Sequence, residues 1–316
     1  MKRLFLLSKE NLDLARAEVL ALSGNKSSVL IENILITDAP DLSRRLAFTH
    51  SIYRFLFESS HKDLEKKMMG FSFSRHCRKS FAVRMKRYCR MGYDEKFFAG
   101  RIWRRLEAPE VSLSSPSALF TFFIFPKKVI CALHESDLTE SFSARRPHLR
   151  PVRLPTSMQP KLARALVNLS GAKKGSMILD PFCGSGGILI EAGLMGLHPA
   201  GYDIDDKYID ASRKNLHHFR IVFTLEKRDA LTMPEVDYVV TDLPYGKGTK
   251  LTLPRHQLYS GFLGVLGRNL RKRAVLVFPH NASAADLMNE HNLKILHHFR
   301  IFVHRSLSRD IFVVEN

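Results

Sequence analysis

From residue 176 onward, short apolar runs alternate with amphipathic helical patterns, and this alternation leaves few folds open to the chain. The strand-like runs are 177–180, 200–203, 222–227, 236–241 and 274–278. The helical stretches are 188–195, 207–219, 258–270 and 284–291. Parallel neighbours need a long crossover, so the succession predicts a mostly parallel sheet flanked by helices. Ligands of such sheets sit outside the carboxyl ends of the strands. The chain closes with two strand-like runs in succession, 293–304 and 308–314, which predicts an antiparallel edge hairpin.

The strand ends carry the candidate chemistry. The first runs into Asp180-Pro181-Phe182-Cys183-Gly184-Ser185-Gly186-Gly187 and at once into a helical pattern. Glycines there let the backbone turn tightly and approach a nucleoside at a helix N-terminus. The spacing is G-x-G-G, not the G-x-G-x-x-G of dinucleotide binding, which argues against a nicotinamide-dependent oxidoreductase. A plain strand-to-helix turn would use the same glycines. About twenty residues on, the second strand ends at Asp203, whose carboxylate can accept both hydroxyls of a ribose. The third leads to Asp229, within plausible reach of an adenine amino group, and the fourth ends at Asp242-Leu243-Pro244-Tyr245. Any one aspartate alone could be a helix cap. Asp180, Asp203 and Asp229 at three successive strand ends point to a ligand.

A chain of 316 residues predicts two or three domains. Its 49 Lys+Arg against 31 Asp+Glu give a formal charge of +18, which suits a polyanionic partner. The charge is concentrated: residues 75–105 hold eleven Lys/Arg and two acids, net +9, interleaved with Phe81, Tyr88, Tyr93, Phe97, Phe98 and Trp103. Within this stretch, 80–87 alternates like a half-buried strand with Arg84 and Lys86 on one face, the pattern of a phosphate-reading surface. An edge strand whose cations only discourage aggregation would look the same. Residues 1–60 read as a small α+β unit, with helices over 12–22 and 42–48 and an apolar run over 29–36; a further strand covers 119–125. Residues 143–151, with three arginines and two prolines, suit an extended, exposed connector.

The apolar start is interrupted by Ser8-Lys9-Glu10 before a signal peptide could form, and no stretch is long enough to span a bilayer. Four cysteines without a CxxC pair, and scattered histidines, indicate neither a disulfide framework nor a zinc site. No internal repeat is visible, and a cytoplasmic location fits best.

The glycine turn, Asp203 and the D-x-P-Y tetrapeptide together resemble the amino-methyltransferases that use S-adenosylmethionine. With Arg150-Pro151-Val152-Arg153-Leu154-Pro155-Thr156-Ser157-Met158 and the 162–169 segment before the first strand, the chain resembles the THUMP-domain tRNA guanine-N2 methyltransferases, especially the archaeal type acting on guanosine 10. The likeness is strong over about 142–290. It implies an α/β fold: a class I Rossmann-like methyltransferase domain with a mostly parallel sheet and C-terminal antiparallel hairpin, preceded by an α+β THUMP-like RNA-binding module. The implied domains are a small N-terminal unit (1–60), the THUMP-like module (61–141), a linker (142–155) and the catalytic domain (156–316). Cofactor binding falls to Thr156, Asp180, Pro181, Phe182, Cys183, Gly184, Gly186, Asp203, Ile204, Asp229 and Ala230. The Asp242 carboxylate and the Leu243 carbonyl would accept the target amine's hydrogens, Pro244 completes the loop, and Tyr245 would stack on the base. Leu243 stands where the commoner tetrapeptide has proline, which costs the loop one φ restraint. Arg84, Lys86, Arg87, Arg145 and Arg146 are the candidate RNA contacts. The implied partner is tRNA, with a small activating methyltransferase partner protein left open and no membrane. An amino-methyltransferase on another RNA base or on a DNA base, and a non-catalytic RNA-binding protein with a retained methyltransferase fold, are the alternatives.

Overall fold

The computed structural model describes residues 1–25, 27–138, 141–154, 157–246, 253–280, 282–304 and 307–316. The chain forms two compact units, and no single cut separates them. One comprises Met1–Leu7, Asn25–Ser43 and Thr49–Leu138. The other comprises Ser8–Gly24, which carries helix α1 (Leu12–Ser23), together with Arg44–Phe48 and Thr139–Asn316.

The first unit is built on an eight-stranded sheet of β1 (Lys2–Leu7), β2 (Ser28–Ile31), β3 (Ile34–Asp38), β4 (Thr49–Ser59), β5 (Ser80–Arg87), β6 (Glu110–Val111), β7 (Ala118–Ile124) and β8 (Val129–Asp137). The spatial order is β2-β3-β1-β4-β8-β7-β5-β6. The apolar stretch 29–36 folds back on itself as the β2-β3 hairpin. Because β4 pairs with β1 on one side and β8 on the other, strands from 1–60 and from 61–141 share one sheet. Helices α2 (Leu64–Gly70) and α3 (Glu95–Trp103) pack Leu64, Met68, Phe98 and Ile102 against Phe81, Val83 and Phe120. Met85 lies against the same cluster, which puts Arg84 and Lys86 on the opposite face of β5. β5 runs beside β7 from Phe81 to Arg87 but meets β6 only at Ser80 and Phe81. Its basic half therefore lies at a sheet edge.

The second unit continues with α4 (Pro160–Leu169), β9 (Met177–Asp180), α5 (Gly187–Leu194), β10 (His198–Asp203), α6 (Asp206–His218), β11 (Thr224–Lys227) and β12 (Val236–Asp242). It ends with α7 (Arg255–Asn269), β13 (Leu270–Pro279), α8 (Ala284–Glu290), β14 (Lys294–His304) and β15 (Leu307–Glu315). The sheet order is β11-β10-β9-β12-β13-β15-β14: five parallel strands, then β15 antiparallel to both its neighbours. Ala274 to Phe278 are all fully buried, and this unbroken apolar run belongs to a strand covered on both faces. Tyr259 and Phe262 of α7 and Leu287 of α8 pack with Leu179, Val239, Leu276 and Phe278, while Leu189, Ile190, Ile209 and Leu216 of α5 and α6 form a separate cluster. The alternating elements and the closing hairpin are those the sequence predicts.

Two sequence expectations are corrected. No helix forms over 42–48, where the described backbone makes turns. The N–H groups of Ala47 and Phe48 instead donate to the buried Glu18 carboxylate at 2.8 and 2.9 Å. Asn168 of α4 donates to the same carboxylate at 2.7 Å, which ties α1 to α4. The stretch 143–151 is not an extended connector either, although six of its nine residues are exposed as expected. It makes two short 3-10 turns, Phe142–Arg145 and Pro147–Leu149, and Arg150 is buried. Arg145 reaches the fully buried Glu191 through Nε (2.8 Å) and Nη2 (3.2 Å), and Arg164 adds a third bond at 2.9 Å. A carboxylate inside a protein needs such partners, and it draws the connector's arginine inward to supply them.

Candidate active site

The site forms at the carboxyl ends of β9, β10 and β12. After β9 the chain must reverse into α5 within a few residues, and Gly184 (φ 52°) and Gly186 (φ 78°) take the left-handed conformations that this requires. The two glycines face different surroundings. A Cβ on Gly186 would lie 2.5 Å from Ser212 Oγ on α6, whereas one on Gly184 would meet nothing within 4 Å. Gly184 thus fronts an open cradle. Its N–H donates to Asp203 Oδ2 at 3.1 Å, and Asp203 Oδ1 accepts from Asp205 N at 3.1 Å. Burial raises the Asp203 pKa against these backbone bonds. The next residue, Ile204, is apolar and exposed.

Asp229 is exposed and caps the short turn Ala230–Thr232 by accepting from Leu231 N at 2.9 Å; Ala230 itself is buried. The helix cap expected of such an aspartate on α6 is Asp205, not Asp203, which leaves Asp203 at the turn. Phe182 is half-buried and Cys183 buried, with burial pushing the Cys183 thiol well up. Pro181 lies within the same turn, and Thr156 lies outside the described residues.

Asp180 behaves differently from its neighbours. It is 2% exposed, and its Oδ1 accepts from Thr241 Oγ1 at 2.6 Å and from Phe182 N at 3.2 Å. Burial, reinforced by Asp242 and Asp203, pushes its pKa up to about 7 despite those bonds. Its geometry serves to clamp the ends of β9 and β12 together.

The tetrapeptide loop is anchored at three points. Leu243 N donates to Val277 O at 3.0 Å, Tyr259 Oη donates to Pro244 O at 2.8 Å, and Tyr245 Oη donates to Asp242 Oδ1 at 2.5 Å. Leu243 is 1% exposed within the α7 and α8 core, so its side chain supplies packing where a proline would have supplied a φ restraint. Burial raises the Asp242 pKa, and Arg309 opposes that rise.

Arg309, on β15, was not among the residues the sequence singled out. Its Nη2 lies 3.1 Å from Asp242 Oδ2, and its Nε donates to Tyr245 Oη at 2.9 Å. The only local signal was a charged pair, Arg309-Asp310, inside an otherwise apolar strand pattern. Thr241, the partner of Asp180, was also missed, since a threonine in a β-branched strand run carries no signal of its own.

Of the candidate RNA contacts, Arg84 and Arg87 are exposed and Lys86 half-buried on β5 of the first unit, where Arg87 Nη2 donates to Tyr93 O at 2.8 Å. Arg146 is exposed in the second unit. Arg145 is engaged by Glu191 and is not an open cation.

The arrangement suits a nucleoside-bearing ligand: an open glycine cradle, a carboxylate at the second strand end, an exposed apolar residue beside it and a second carboxylate one strand further. Residues 147–309 match the family model described as RMKL-like, methyltransferase domain. The chain is 35% identical, over its whole length and 99% of the relative's, to a tRNA (guanine(10)-N2)-dimethyltransferase of Methanothermobacter thermautotrophicus. It is 29% identical to the protein of the same description from Pyrococcus abyssi, over 96% of each chain. Among solved structures, TrmN from Thermus thermophilus aligns over 100% of this chain and 99% of its own with a TM-score of 0.50 at 19% identity, a likeness of fold. On the full-length match and the domain match together, the chain belongs to the tRNA (guanine(10)-N2)-dimethyltransferase family, with an RMKL-like methyltransferase domain as its C-terminal half.

Proposed function

We propose that this chain is an S-adenosylmethionine-dependent tRNA methyltransferase that acts on the exocyclic N2 of guanosine 10, forming N2-methylguanosine and then N2,N2-dimethylguanosine. The observation that carries the reading is Asp242, a carboxylate held by Arg309 at the strand end next but one to Asp203 in the sheet. The curated relatives bear the same activity in their names.

The guanine amine is a weak nucleophile because its lone pair is delocalised into the ring. A carboxylate that accepts one of its hydrogens localises that pair and aims it. Asp242 does this and receives the proton as the new bond to nitrogen forms, while the Leu243 carbonyl accepts a hydrogen bond from the hydrogen that stays on nitrogen. Tyr245 stacks on the base once its hydroxyl leaves Asp242. When bound, S-adenosylmethionine supplies a methyl carbon on a positively charged sulfur, which departs with the bonding electron pair. Asp203 holds the ribose hydroxyls, Ile204 covers the adenine, Asp229 accepts from the adenine amine, and the backbone at Gly184 admits the remainder. After one transfer the amine still carries a hydrogen, so the same acceptor serves a second.

The first unit grips the tRNA, in keeping with the net charge of +9 over 75–105 and with Arg84 and Lys86 at the edge of β5. No described helix is long and apolar enough to cross a membrane, and a tRNA substrate supports a cytoplasmic location.

The test is methyl transfer to transcribed tRNA by the purified chain, followed by mass spectrometry of the nucleosides. Methylated guanosine at position 10 is expected, and its formation without a second protein would dispense with an activating partner. Asp242→Ala is expected to lower turnover by about 10²–10⁴-fold with little change in cofactor affinity. Normal turnover by that variant would overturn the assignment.

A further inference from the structure

Arg309 is a buried cation that the domain's parallel strands do not supply. It comes from β15, which enters the sheet antiparallel beyond β13, and pairs there with Pro279 while Asp242 of β12 pairs with Val277. Neighbouring strand residues point to opposite faces, so Arg309 and Asp310 part company. Asp310 takes His280, His298 and Arg300 as partners, and Arg309 turns to Asp242 and Tyr245. Its side chain is 8% exposed and that of Asp242 is 19% exposed. Each of the three side chains touches both others: Arg309 Nη2 to Asp242 Oδ2 (3.1 Å), Arg309 Nε to Tyr245 Oη (2.9 Å), Tyr245 Oη to Asp242 Oδ1 (2.5 Å).

We propose that Arg309 is a positioning residue for methyl transfer: by holding Oδ2 it fixes the Asp242 carboxylate as an ionised acceptor, with Oδ1 turned to the amine and covered by the Tyr245 hydroxyl until the base enters. The inference rests on the reading of Asp242 as the acceptor of the target amine. The two oxygens have separate duties. Arg309 cannot stack on a base and remain at Oδ2, whereas Tyr245 can exchange its hydroxyl bond for ring contact. When Tyr245 leaves, Arg309 keeps the carboxylate from rotating and its Nε is freed of the phenol.

Among the described residues, the titratable and charged groups acting on Asp242 are Arg309 from β15, Tyr245 from its own loop, Asp180 from β9 and Tyr259 from α7. Among these described groups Arg309 alone is a cation, and it is the partner that lowers the Asp242 pKa most against burial. Burial disfavours the charged guanidinium, and Asp242 and Tyr245 together more than offset it, so the Arg309 pKa stands above its ordinary value. Loss of the cation therefore moves ionisation of Asp242 to higher pH, and activity must follow.

The experiment compares the full chain with Arg309→Gln and Arg309→Lys, reading kcat/KM for tRNA methylation from about pH 5 to about pH 9, with cofactor affinity by calorimetry and melting temperature alongside. For Arg309→Gln the acid limb is expected to move up by about one unit or more, and activity near pH 7 to fall about 10-fold or more, with cofactor affinity within about threefold. Arg309→Lys retains charge in the same place and is expected to keep the limb within about half a unit. A uniform loss of rate with an unmoved limb in Arg309→Gln would overturn the proposal, as would equal shifts in both variants. If the glutamine variant does not fold, the lysine variant decides: a shift of about a full unit or more counts against the proposal, and a retained limb with lowered kcat and unchanged cofactor affinity supports it. Failure of the wild-type chain to methylate tRNA guanosine at any pH would strike the functional reading itself, a different result from either.

Discussion

A carboxylate with a pKa near 7 sits at the centre of the strand ends, and its consequences are thermodynamic before they are catalytic. Asp180 titrates at about 7 when folded against 3.8 ordinarily, because burial disfavours its charge. Between those values the folded state binds the extra proton, so stability falls as pH rises through that window and the full penalty stands above about 7. Asp180→Asn keeps an oxygen for Thr241 and Phe182 N but cannot ionise. We expect wild-type urea midpoints to fall more between about pH 5 and about pH 8 than those of the variant. Equal falls would mean that Asp180 titrates normally. The aspartates were legible in sequence because each closes a strand pattern and the pattern itself announces the sheet edge. Arg309 was not, since its partner Asp242 lies 67 residues away and no spacing rule links them.

At the scale of elements, the turn from β9 to α5 separates stability from binding within three residues. Gly184 and Gly186 both adopt positive φ, so alanine at either carries a strain of roughly 1–2 kcal/mol. They differ in what the new methyl group meets. At Gly186 it runs into the Ser212 hydroxyl, which must turn aside in a buried position, so Gly186→Ala is expected to show the larger fall in melting temperature, roughly 2–8 °C. At Gly184 it enters open space, and Gly184→Ala is expected to lose cofactor affinity out of proportion to its stability. The reverse ranking would move the ligand cradle away from Gly184. This turn was legible because its glycines answer a local steric demand. The 42–48 helix and the extended form given to 143–151 were misread for the opposite reason. Their backbone and side-chain donors are claimed by Glu18 and Glu191, buried acids remote in sequence that no local window contains.

For the whole molecule the central question is how charge is shared between gripping and chemistry. A test by truncation is confounded, because the catalytic unit includes α1: a fragment starting at 139 would lose the Glu18 bonds to Ala47, Phe48 and Asn168 and expose the face of α4 beneath. Side-chain substitution avoids this. Arg84 and Lys86 share the face of β5 opposite the one packed by α2 and α3, and Arg84 is exposed, so glutamine at both should leave the fold intact. If they hold phosphates, each lost contact reduces the slope of log K against log salt for tRNA by about 0.7–0.9, so the double variant should lose up to about 1.4–1.8. Apparent KM for tRNA should rise while cofactor affinity and turnover at saturating tRNA stay near wild type, because two linked sites on one RNA trade through effective concentration rather than chemistry. If both residues only discourage edge pairing, the slope will not change and the double variant will aggregate more readily instead. The two outcomes are read from one preparation, by salt titration of tRNA binding and by light scattering, and an unchanged slope would remove β5 from the RNA-binding surface.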